Sequence, residues 1–250
     1  MNGSGLRHGL AAGLLFISGA ALAVDPMEMK VDGKEQGWKG DIELGYVKTS
    51  GNTDTTAAIL KLAIRGVYTD WVHEFISRGY HATDTGNTTA ANLMAQWRSN
   101  YVLRREIDYL FGLVRYDNDR FAGYKLRMTE VGGYGYKIIK QENFRWAAEA
   151  GVGGQQTTRT DGEQNNEGIV RLGTWLDWNI SKTSIFTYNL FTEIGSSNTY
   201  TESDAELSVK INEAWSVVLG WLVKNNSEVQ PGVEKTDMTT TVTIKYAFLN

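Results

Sequence analysis

A two-residue alternation of apolar and polar side chains recurs about a dozen times along this chain and limits its fold more than any other feature. From Trp38 to Val47, one parity carries Trp, Gly, Ile, Leu and Tyr, and the other carries Lys, Asp, Glu, Gly and Val. Because a strand projects successive side chains to opposite faces, this segment has one apolar and one charged face. A charged face repeated around a closed sheet needs water inside, and an apolar face rich in aromatics needs lipid outside. The pattern predicts an all-β fold, a transmembrane antiparallel up-and-down β-barrel of about twelve strands.

The start of the chain has the composition of a secretory signal peptide. Arg7 supplies the positive charge, an apolar stretch runs from Gly9 to Leu22, and Ala21 to Ala23 has the small-x-small form of a cleavage site, which predicts cleavage after Ala23. An anchor helix is the alternative, but roughly 14 apolar residues are too few to span a bilayer. We therefore expect residues 1–23 to be removed, residues 24–37 to form a periplasmic tail and residues 38–250 to form one barrel domain.

Composition excludes several classes of protein. The chain has no cysteine, which rules out a disulfide framework, thiolate metal sites and a lipid-anchored cysteine. The net charge is −4 and no basic patch with interleaved aromatics occurs, so a nucleic-acid partner is not expected. No cofactor is implied. Beyond the leader no apolar run reaches helical length, which leaves a closed barrel as the spanning structure.

The alternation divides the chain into about twelve strand candidates, and a count of about ten or fourteen stays open if a weak strand is miscounted. The third and fifth candidates have no clear outward face, and Glu130 interrupts the apolar face of the sixth. The candidates span Trp38–Lys48, Thr56–Tyr68, Trp71–Tyr80, Ala90–Leu103, Tyr109–Asp117, Lys125–Ile138, Phe144–Gln155, Gly168–Asn179, Ser184–Gly195, Tyr200–Ile211, Trp215–Asn225 and Thr236–Phe248.

Connection lengths and aromatic positions predict the orientation. Short even connections and longer odd ones, namely Thr49–Thr55, His81–Thr89, Asn118–Tyr124, Gln156–Glu167 and Asn226–Lys235, fit short periplasmic turns, longer external loops and periplasmic termini. Aromatic side chains, which suit the headgroup level, lie near the predicted periplasmic ends of the strands: Trp38, Tyr68, Trp71, Tyr101, Tyr136, Phe144, Trp178, Trp215 and Tyr246. A soluble lipocalin-like barrel is the alternative, but it would place apolar residues inside and charges outside.

Three motifs resemble one family. The stretch GYVKTSGNTDTT from Gly45 to Thr56, the stretch YDNDRFAGYKLR from Tyr116 to Arg127 and the GGYGY run from Gly132 to Tyr136 are similar to the YdiY-like family of proposed salt-induced outer-membrane proteins, a domain of unknown function. The likeness runs from Trp38 to Phe248. It implies an outer-membrane location in a Gram-negative bacterium and a link to salt or osmotic conditions, and it carries no established site residues.

The outward sets also fix the charges that face the lumen. Strands two to six would point basic residues inward, and the first, ninth and tenth strands would point acidic ones inward, so that a basic arc faces an acidic arc. Such charges across a narrow pore select ions, which predicts a narrow channel for ions or small polar solutes. The alternative is that the charges pair with one another and fill the interior. The predicted lining residues are Asp41, Glu43, Lys61, Arg65, Arg78, Arg98, Arg115, Arg127, Glu193, Glu202, Asp204 and Glu206.

An enzyme within the barrel wall is a competing class, and the sequence favours it less. His73 and Ser77 share a face of the third strand at about 13 Å, too far for a hydrogen bond, so a partner would have to come from a neighbouring strand. His73 and His81 are interpreted as interfacial histidines. The run Asp117-Asn118-Asp119 could form an omptin-like carboxylate site or bind a divalent cation, but its spacing is not that of an EF-hand and favours a solvated external loop.

A structural or interaction barrel is the third class. The predicted external loops Gln156–Glu167 and Asn226–Lys235 are polar and long enough to bind a partner or the headgroups of lipopolysaccharide. Outer-membrane lipids and the outer-membrane assembly machinery are the expected partners; that machinery commonly reads a final aromatic residue, and here Phe248 is followed by Leu249 and Asn250. The sequence predicts no oligomeric state.

Overall fold

Twelve antiparallel strands close into one barrel. The computed structural model describes residues 36–48, 55–103 and 107–249, so the predicted leader and nearly all of the predicted tail lie outside the described residues. The strands are β1 Gly37–Lys48, β2 Thr55–Tyr68, β3 Trp71–Asp84, β4 Asn87–Val102, β5 Asp108–Asp119, β6 Tyr124–Lys140, β7 Phe144–Arg159, β8 Gln164–Asn179, β9 Ser184–Ile194, β10 Thr199–Lys210, β11 Trp215–Asn226 and β12 Thr236–Leu249. The predicted twelve-stranded barrel is confirmed.

Each strand pairs with its neighbours in sequence, and the first strand pairs with the last. Gly40 of β1 lies opposite Leu249 of β12, and Leu44 lies opposite Ile244. Since the number of strands is even, β1 begins and β12 ends at the same end of the barrel, here called the terminal end; the opposite end is called the distal end. Within the described parts of the chain, no helix has the length and apolar character needed to cross a membrane.

The outer wall is apolar. Leu44, Tyr46, Val152 and Met238 are 57 to 71% exposed, and each belongs to the parity predicted to face lipid. The structure also settles the third strand, where Trp71, His73 and Phe75 point outward and Val72 and Glu74 point inward. Glu130 does lie on the outer face, exposed between Val114 and Gly154. Because water-soluble barrels hide their apolar residues inside, a lipocalin-like barrel is excluded.

An aromatic girdle surrounds the terminal end. Trp38 and Tyr68 meet edge to face with ring centroids 5.9 Å apart, and the Trp38 Nε1 donates to the Tyr68 hydroxyl at 2.6 Å. Trp71 packs against Tyr101 at 5.0 Å, and Trp215 packs against Tyr246 at 4.8 Å. Amphipathic rings at one level of the outer wall suit a membrane interface, so this ring of aromatics marks one edge of the lipid-facing band.

The prediction of longer odd-numbered connections was largely wrong. Residues predicted as loop continue the strand ladder instead: Gln156 pairs with Asn166, and Thr83 pairs with Thr88. The distal connections shrink to residues 85–86, 120–123, 160–163 and 195–198, about as short as the terminal turns. Residues 227–235 form the one long distal connection among those described. Residues 49–54, within the first family motif, lie outside the described residues.

Glycines on the inner wall make room for large aromatic side chains in the terminal half. Gly133 and Gly135 of β6 point inward, and a Cβ at Gly135 would lie 2.2 Å from the Tyr109 ring. At Gly133 it would lie 2.6 Å from the Phe111 ring. The alternate residues of the same run, Tyr134 and Tyr136, point outward. The GGYGY motif therefore has two structural roles. Its inward glycines make room for aromatic rings inside the barrel, and its tyrosines contribute to the aromatic outer wall.

Replacing Gly135 with alanine should destabilise the barrel. The added methyl overlaps the buried Tyr109 ring, and overpacking of this kind costs about 1 to 3 kcal/mol. Urea unfolding of the refolded protein in lipid vesicles measures the change. Gly112→Ala is the matched control, because Gly112 is an outward strand glycine with open space around its Cβ position. Equal stability of the two variants would contradict this packing.

Candidate functional site

All twelve residues predicted to line the lumen lie inside the barrel. Ten of them are less than a tenth exposed, and the side chains of Arg78 and Asp204 are 15% and 13% exposed. Strand alternation alone places them there, since each belongs to the parity opposite to a lipid-facing residue. The fully interior set is Asp41, Glu43, Lys61, Arg65, Arg98, Arg115, Arg127, Glu193, Glu202 and Glu206.

Ion pairs cross the lumen between β10 and the opposite wall. Lys61 of β2 donates from Nζ to Glu206 Oε1 at 2.7 Å and lies 3.4 Å from Glu43 Oε1. Arg78 of β3 donates from Nη2 to Asp204 Oδ2, also at 2.7 Å. Residues 202, 204 and 206 share one face of β10, so the strand presents a row of carboxylates to the basic side chains. We call Lys61, Arg78, Asp204 and Glu206 the charge layer.

A second group of pairs continues the layer toward β5. Arg115 of β5 donates from Nη2 to Glu202 Oε2 at 2.6 Å, and the same oxygen accepts the Tyr200 hydroxyl at 2.6 Å. Arg115 also donates to both oxygens of Asp117, at 2.7 and 2.9 Å. The guanidinium lies 5.2 Å from the Phe191 ring centroid. Charge-assisted hydrogen bonds of this length fix side chains firmly, because each charge is both paired and hydrogen-bonded.

The terminal half of the lumen is packed more tightly. Arg98 of β4 donates to both carboxylate oxygens of Glu149 on β7, and the Tyr109 hydroxyl donates to the same carboxylate at 2.7 Å. The guanidinium lies 4.6 Å from the centroid of the Phe111 ring and 5.1 Å from that of the Trp175 ring. This half is therefore a packed core on the β4 to β8 side, held by one doubly bonded ion pair.

Two cavities of the lumen that described residues line both border the charge layer. The distal cavity has a volume of about 250 Å³ and is lined by residues that include Ile59, Lys61, Arg78 and Asp204. The inner cavity has a volume of about 100 Å³ and reaches Ala63, again sharing Lys61, Arg78 and Asp204. Because those three side chains border both spaces, the charge layer is where the two cavities meet.

The distal connections fold over the mouth of the barrel. The long β11–β12 connection reaches across it, where the Gln230 Oε1 accepts the Thr160 hydroxyl at 2.6 Å and Gln230 Nε2 donates to the Asp161 carboxylate. A third cavity of about 190 Å³ lies beneath it, against β6 to β8. The backbone N–H of Glu163 donates to Asp161 and holds the pKa of that carboxyl below its usual value, and the Gln230 amide and Arg159 lower it further. Asp161 therefore stays ionised at neutral pH as the acceptor for Gln230.

The prediction of separate basic and acidic arcs was too simple. Acidic Glu74 and Asp117 lie on the predicted basic side, and basic Lys224 and Lys245 lie beside the acidic strands. The third and fifth strands have no clear face in the sequence, so Glu74, Asp117 and Asp119 were missed; the alternation of β6, β7, β8, β11 and β12 could have found the others. The missed interior charges are Glu74, Asp117, Asp119, Lys137, Glu149, Arg171, Asp177, Lys224 and Lys245.

The interpretation of Asp117-Asn118-Asp119 as a solvated loop was wrong. Strand β5 continues to Asp119, and both aspartates are buried inside the barrel. Asp119 accepts the backbone N–H of Ala122 at 3.1 Å and lies 3.5 Å from Lys224 Nζ. Among the described residues, no cluster of three or more histidine, aspartate or glutamate side chains is arranged to hold a metal ion.

His73 lies in the aromatic girdle and has a partner on the neighbouring strand. Its ring stacks on Trp71 at 5.8 Å, and Nδ1 forms a hydrogen bond of 2.9 Å with the hydroxyl of Ser99, which lies opposite on β4. Trp97 Nε1 donates to the same hydroxyl at 3.1 Å. Within the described residues, the His73 ring contacts aromatic rings and this hydroxyl and no carboxylate, so the third member of a catalytic triad is missing from the arrangement.

The closed sheet, the apolar outer wall and the charged lumen define a transmembrane β-barrel. The family model described as a protein of unknown function, DUF481, matches residues 42–248, and the chain belongs to that family. The chain is 25% identical over 244 residues to the uncharacterized protein YdiY of Escherichia coli (strain K12), which covers 95% of each chain. The resemblance to the YdiY-like family is thereby confirmed.

The solved structure of an outer-membrane porin shares this fold. The NanC porin superposes with a TM-score of 0.52 at 9% identity, covering 84% of this chain and all of the porin chain. The KdgM porin superposes with a TM-score of 0.47 at 11% identity, covering 85% of this chain and 99% of that porin. At these identities the likeness concerns the fold and leaves the lumen chemistry to be argued from this chain's own residues.

Breaking the Arg98–Glu149 pair should strongly destabilise the barrel. Glu149→Leu leaves a buried guanidinium without its carboxylate, which costs about 3 to 5 kcal/mol. Adding Arg98→Leu should recover much of the loss, because the unpaired charge is then gone. Urea unfolding in vesicles measures both variants. Glu130→Leu, which removes a carboxylate from the lipid-facing wall, serves as the control and should not destabilise the fold. A double variant as unstable as Glu149→Leu would contradict the pairing.

Proposed function

We propose that this barrel is a narrow channel for ions or small polar solutes, with the charge layer as its constriction. The observation that carries the proposal is the position of Lys61, Arg78 and Asp204, which border both the distal cavity and the inner cavity. The layer consists of charged side chains rather than backbone, so it can act as a selective constriction.

The charges of the layer support a selective pore. Carboxylates on β10 face basic groups on β2 and β3 across a few ångströms, and such a pair creates a field perpendicular to the route of a passing ion. Charged side-chain rings discriminate between cations and anions in other pores. The small residue Ala63 lies next to the layer on β2 and lines the inner cavity, which leaves open space on the β1 to β2 side of the packed aromatic core.

We also propose that the protein resides in the outer membrane of a Gram-negative bacterium, exported with a cleaved signal peptide and with both termini in the periplasm. The barrel fold and the leader sequence support this location, because closed barrels with charged interiors are characteristic of that membrane. The outward Phe248, 40% exposed near the end of β12, suits recognition by the assembly machinery. Binding of lipopolysaccharide at the distal end and a link to salt conditions stay predictions, the latter supported by the family resemblance alone.

A non-conducting barrel is the second candidate, and the direct contacts across the lumen favour it. Every member of the charge layer has an oppositely charged partner within 2.7 Å, and paired charges are stable fillers of an interior. A hydrolase at His73 and Ser99 ranks below both, because the hydrogen bond between them is its only support. Hydrolysis of dispersed phospholipid that disappears in His73→Asn would be needed to revive it.

Reversing one charge of the layer should change ion selectivity. Glu206→Lys places a second cation beside Lys61, so anions should be favoured relative to the unmodified protein. The reversal potential of the refolded protein in a planar bilayer under a salt gradient measures the change. Adding Lys61→Glu restores an oppositely charged pair in swapped positions and should return the reversal potential toward its original value.

The control for this experiment changes the same charge outside the lumen. Glu142→Lys lies in the exposed turn between β6 and β7 and should leave the reversal potential unchanged. If Glu206→Lys conducts with unaltered selectivity, the charge layer is not the constriction. If the folded, unmodified barrel never conducts, the second candidate replaces the first.

Thiol labelling tests the orientation. The chain contains no cysteine, so each introduced cysteine is the only target. Glu234→Cys, in the exposed β11–β12 connection, should react with a membrane-impermeant maleimide on intact cells. Glu142→Cys, in a terminal turn, should react only after the outer membrane is permeabilised. The reverse pattern would place the termini outside the cell.

A further inference from the structure

We propose that the third cavity, beneath the β11–β12 connection, binds a small polar carboxylate, and that Arg127 is the residue that holds it. The cavity has a volume of about 190 Å³ and opens at the distal mouth, apart from the two cavities that border the charge layer. A binding site at the mouth would exist whether or not the lumen conducts, so this inference does not rest on the proposed channel.

Among the described residues, Arg127 is a buried cation that no carboxylate pairs with. It is 4% exposed, and its Nη2 donates a hydrogen bond to the Asn226 amide oxygen at 2.9 Å. Its Nε and Nη1 are buried and make no hydrogen bond. Asp117 lies opposite Arg127 in the sheet, but both of its oxygens accept hydrogen bonds from Arg115. The acid nearest in register is therefore already engaged.

A buried guanidinium left in this state is costly, because charges in protein interiors are normally paired and hydrogen-bonded. Two aromatic rings pack against the flat faces of the guanidinium and hold it in place. The Tyr124 ring centroid lies 4.0 Å from the guanidinium carbon and the Tyr200 centroid lies 4.7 Å from it. Rings on the faces leave the N–H edge, with the unbonded Nε and Nη1, as the part of the guanidinium that still lacks hydrogen-bond acceptors. The Tyr124 hydroxyl is itself buried without a hydrogen bond, and Tyr124 and Arg127 both line this cavity.

The other charges around the cavity do not compensate Arg127. Glu163 pairs with Arg159 at 2.9 Å. Glu167 accepts the hydroxyls of Ser196 and Ser197 at 3.0 and 2.6 Å, together with the Ser197 backbone N–H at 2.8 Å. Glu228 is exposed at the mouth, where solvent and salt screen its charge. Among the described residues that line the cavity, Arg127 is therefore the cation that no carboxylate contacts directly, while Glu167 keeps its negative charge on the side of Ser196 and Ser197.

The side chains that line the cavity favour a ligand that carries a carboxylate together with hydroxyl groups. A guanidinium matches the planar carboxylate with parallel N–H donors, and the Tyr124 hydroxyl can add a third donor. Amide and hydroxyl side chains that can contact hydroxyl groups of the ligand surround it: Gln155, Thr157, Asn165, Asn198 and Gln230. Inorganic phosphate is also an oxyanion, but it has no carbon skeleton with hydroxyl groups for these side chains to contact. Binding experiments can therefore distinguish phosphate from a hydroxylated carboxylate.

Calorimetric titration of the refolded full barrel tests this site. The probes are D-glucuronate, its uncharged analogue D-glucuronamide, and inorganic phosphate. We expect saturable binding of glucuronate, little binding of glucuronamide, and weaker binding of phosphate. Arg127→Gln should weaken glucuronate binding by about tenfold to a hundredfold, the range expected when a hydrogen-bonded charge is lost. Arg120→Gln, which removes an exposed positive charge at the same mouth, should leave binding unchanged.

A second variant guards against misfolding of Arg127→Gln. Asn226→Asp keeps the shape of the existing partner but supplies a carboxylate within hydrogen-bonding distance of Arg127, so it should stabilise the fold and compete with the ligand. Equal affinity of the Asn226→Asp variant and the unmodified protein would overturn the proposal. So would equal binding of glucuronate and glucuronamide, or binding of phosphate alone. Calorimetry measures binding and needs no ion current. A folded barrel that does not conduct would therefore contradict the channel proposal but not the proposed binding site.

Discussion

Ion pairing across the lumen is the interaction on which the rest of the structure depends. A barrel of twelve strands encloses a wide interior, and its inward parity is occupied by charged residues because the outward parity must be apolar. These charges are stable there only when they are paired and hydrogen-bonded. Lys61 with Glu206, Arg78 with Asp204 and Arg98 with Glu149 meet that requirement by joining strands far apart in sequence. The pairs thereby determine which side chains fill the lumen that the strand number and stagger enclose.

Paired and hydrogen-bonded charges lie in both halves of the barrel interior, but the two halves differ in how tightly the side chains around these charges pack. In the terminal half, glycines on β6 admit the rings of Tyr109 and Phe111, so the interior packs as a core around the Arg98–Glu149 ion pair. In the distal half, the side chains leave cavities of about 250 and 190 Å³. A packed floor beneath an open, charged vestibule suits a protein that admits small solutes and discriminates among them at a narrow layer.

The sequence predicted which side of each strand faces lipid but not which charges meet. Alternation is a local property, so the twelve strands and all the predicted lining residues from Asp41 to Glu206 follow from it. Pairing across the lumen depends on strand stagger and closure, which no local pattern encodes, and this is why the simple division into arcs failed. Connection lengths failed for a related reason: Gln156 and Asn166 have polar side chains typical of loops, yet their backbones continue the ladder beyond the lipid-facing band. Arg127 was predicted to face inward, but its lack of a carboxylate partner is visible only in three dimensions.

The unit conductance of a variant that lacks one complete ion pair tests whether the charge layer is the constriction of a channel. Arg78→Ser combined with Asp204→Ser removes both partners of one ion pair, leaves no unpaired charge and removes side-chain bulk where the two lumen cavities meet. In planar bilayers at one salt concentration, we expect discrete current steps for the unmodified barrel and clearly larger steps for the double variant. Steps of equal size, or steps that change equally with Thr85→Ser combined with Lys140→Ser at positions outside the layer, would contradict the assignment of this layer as the constriction.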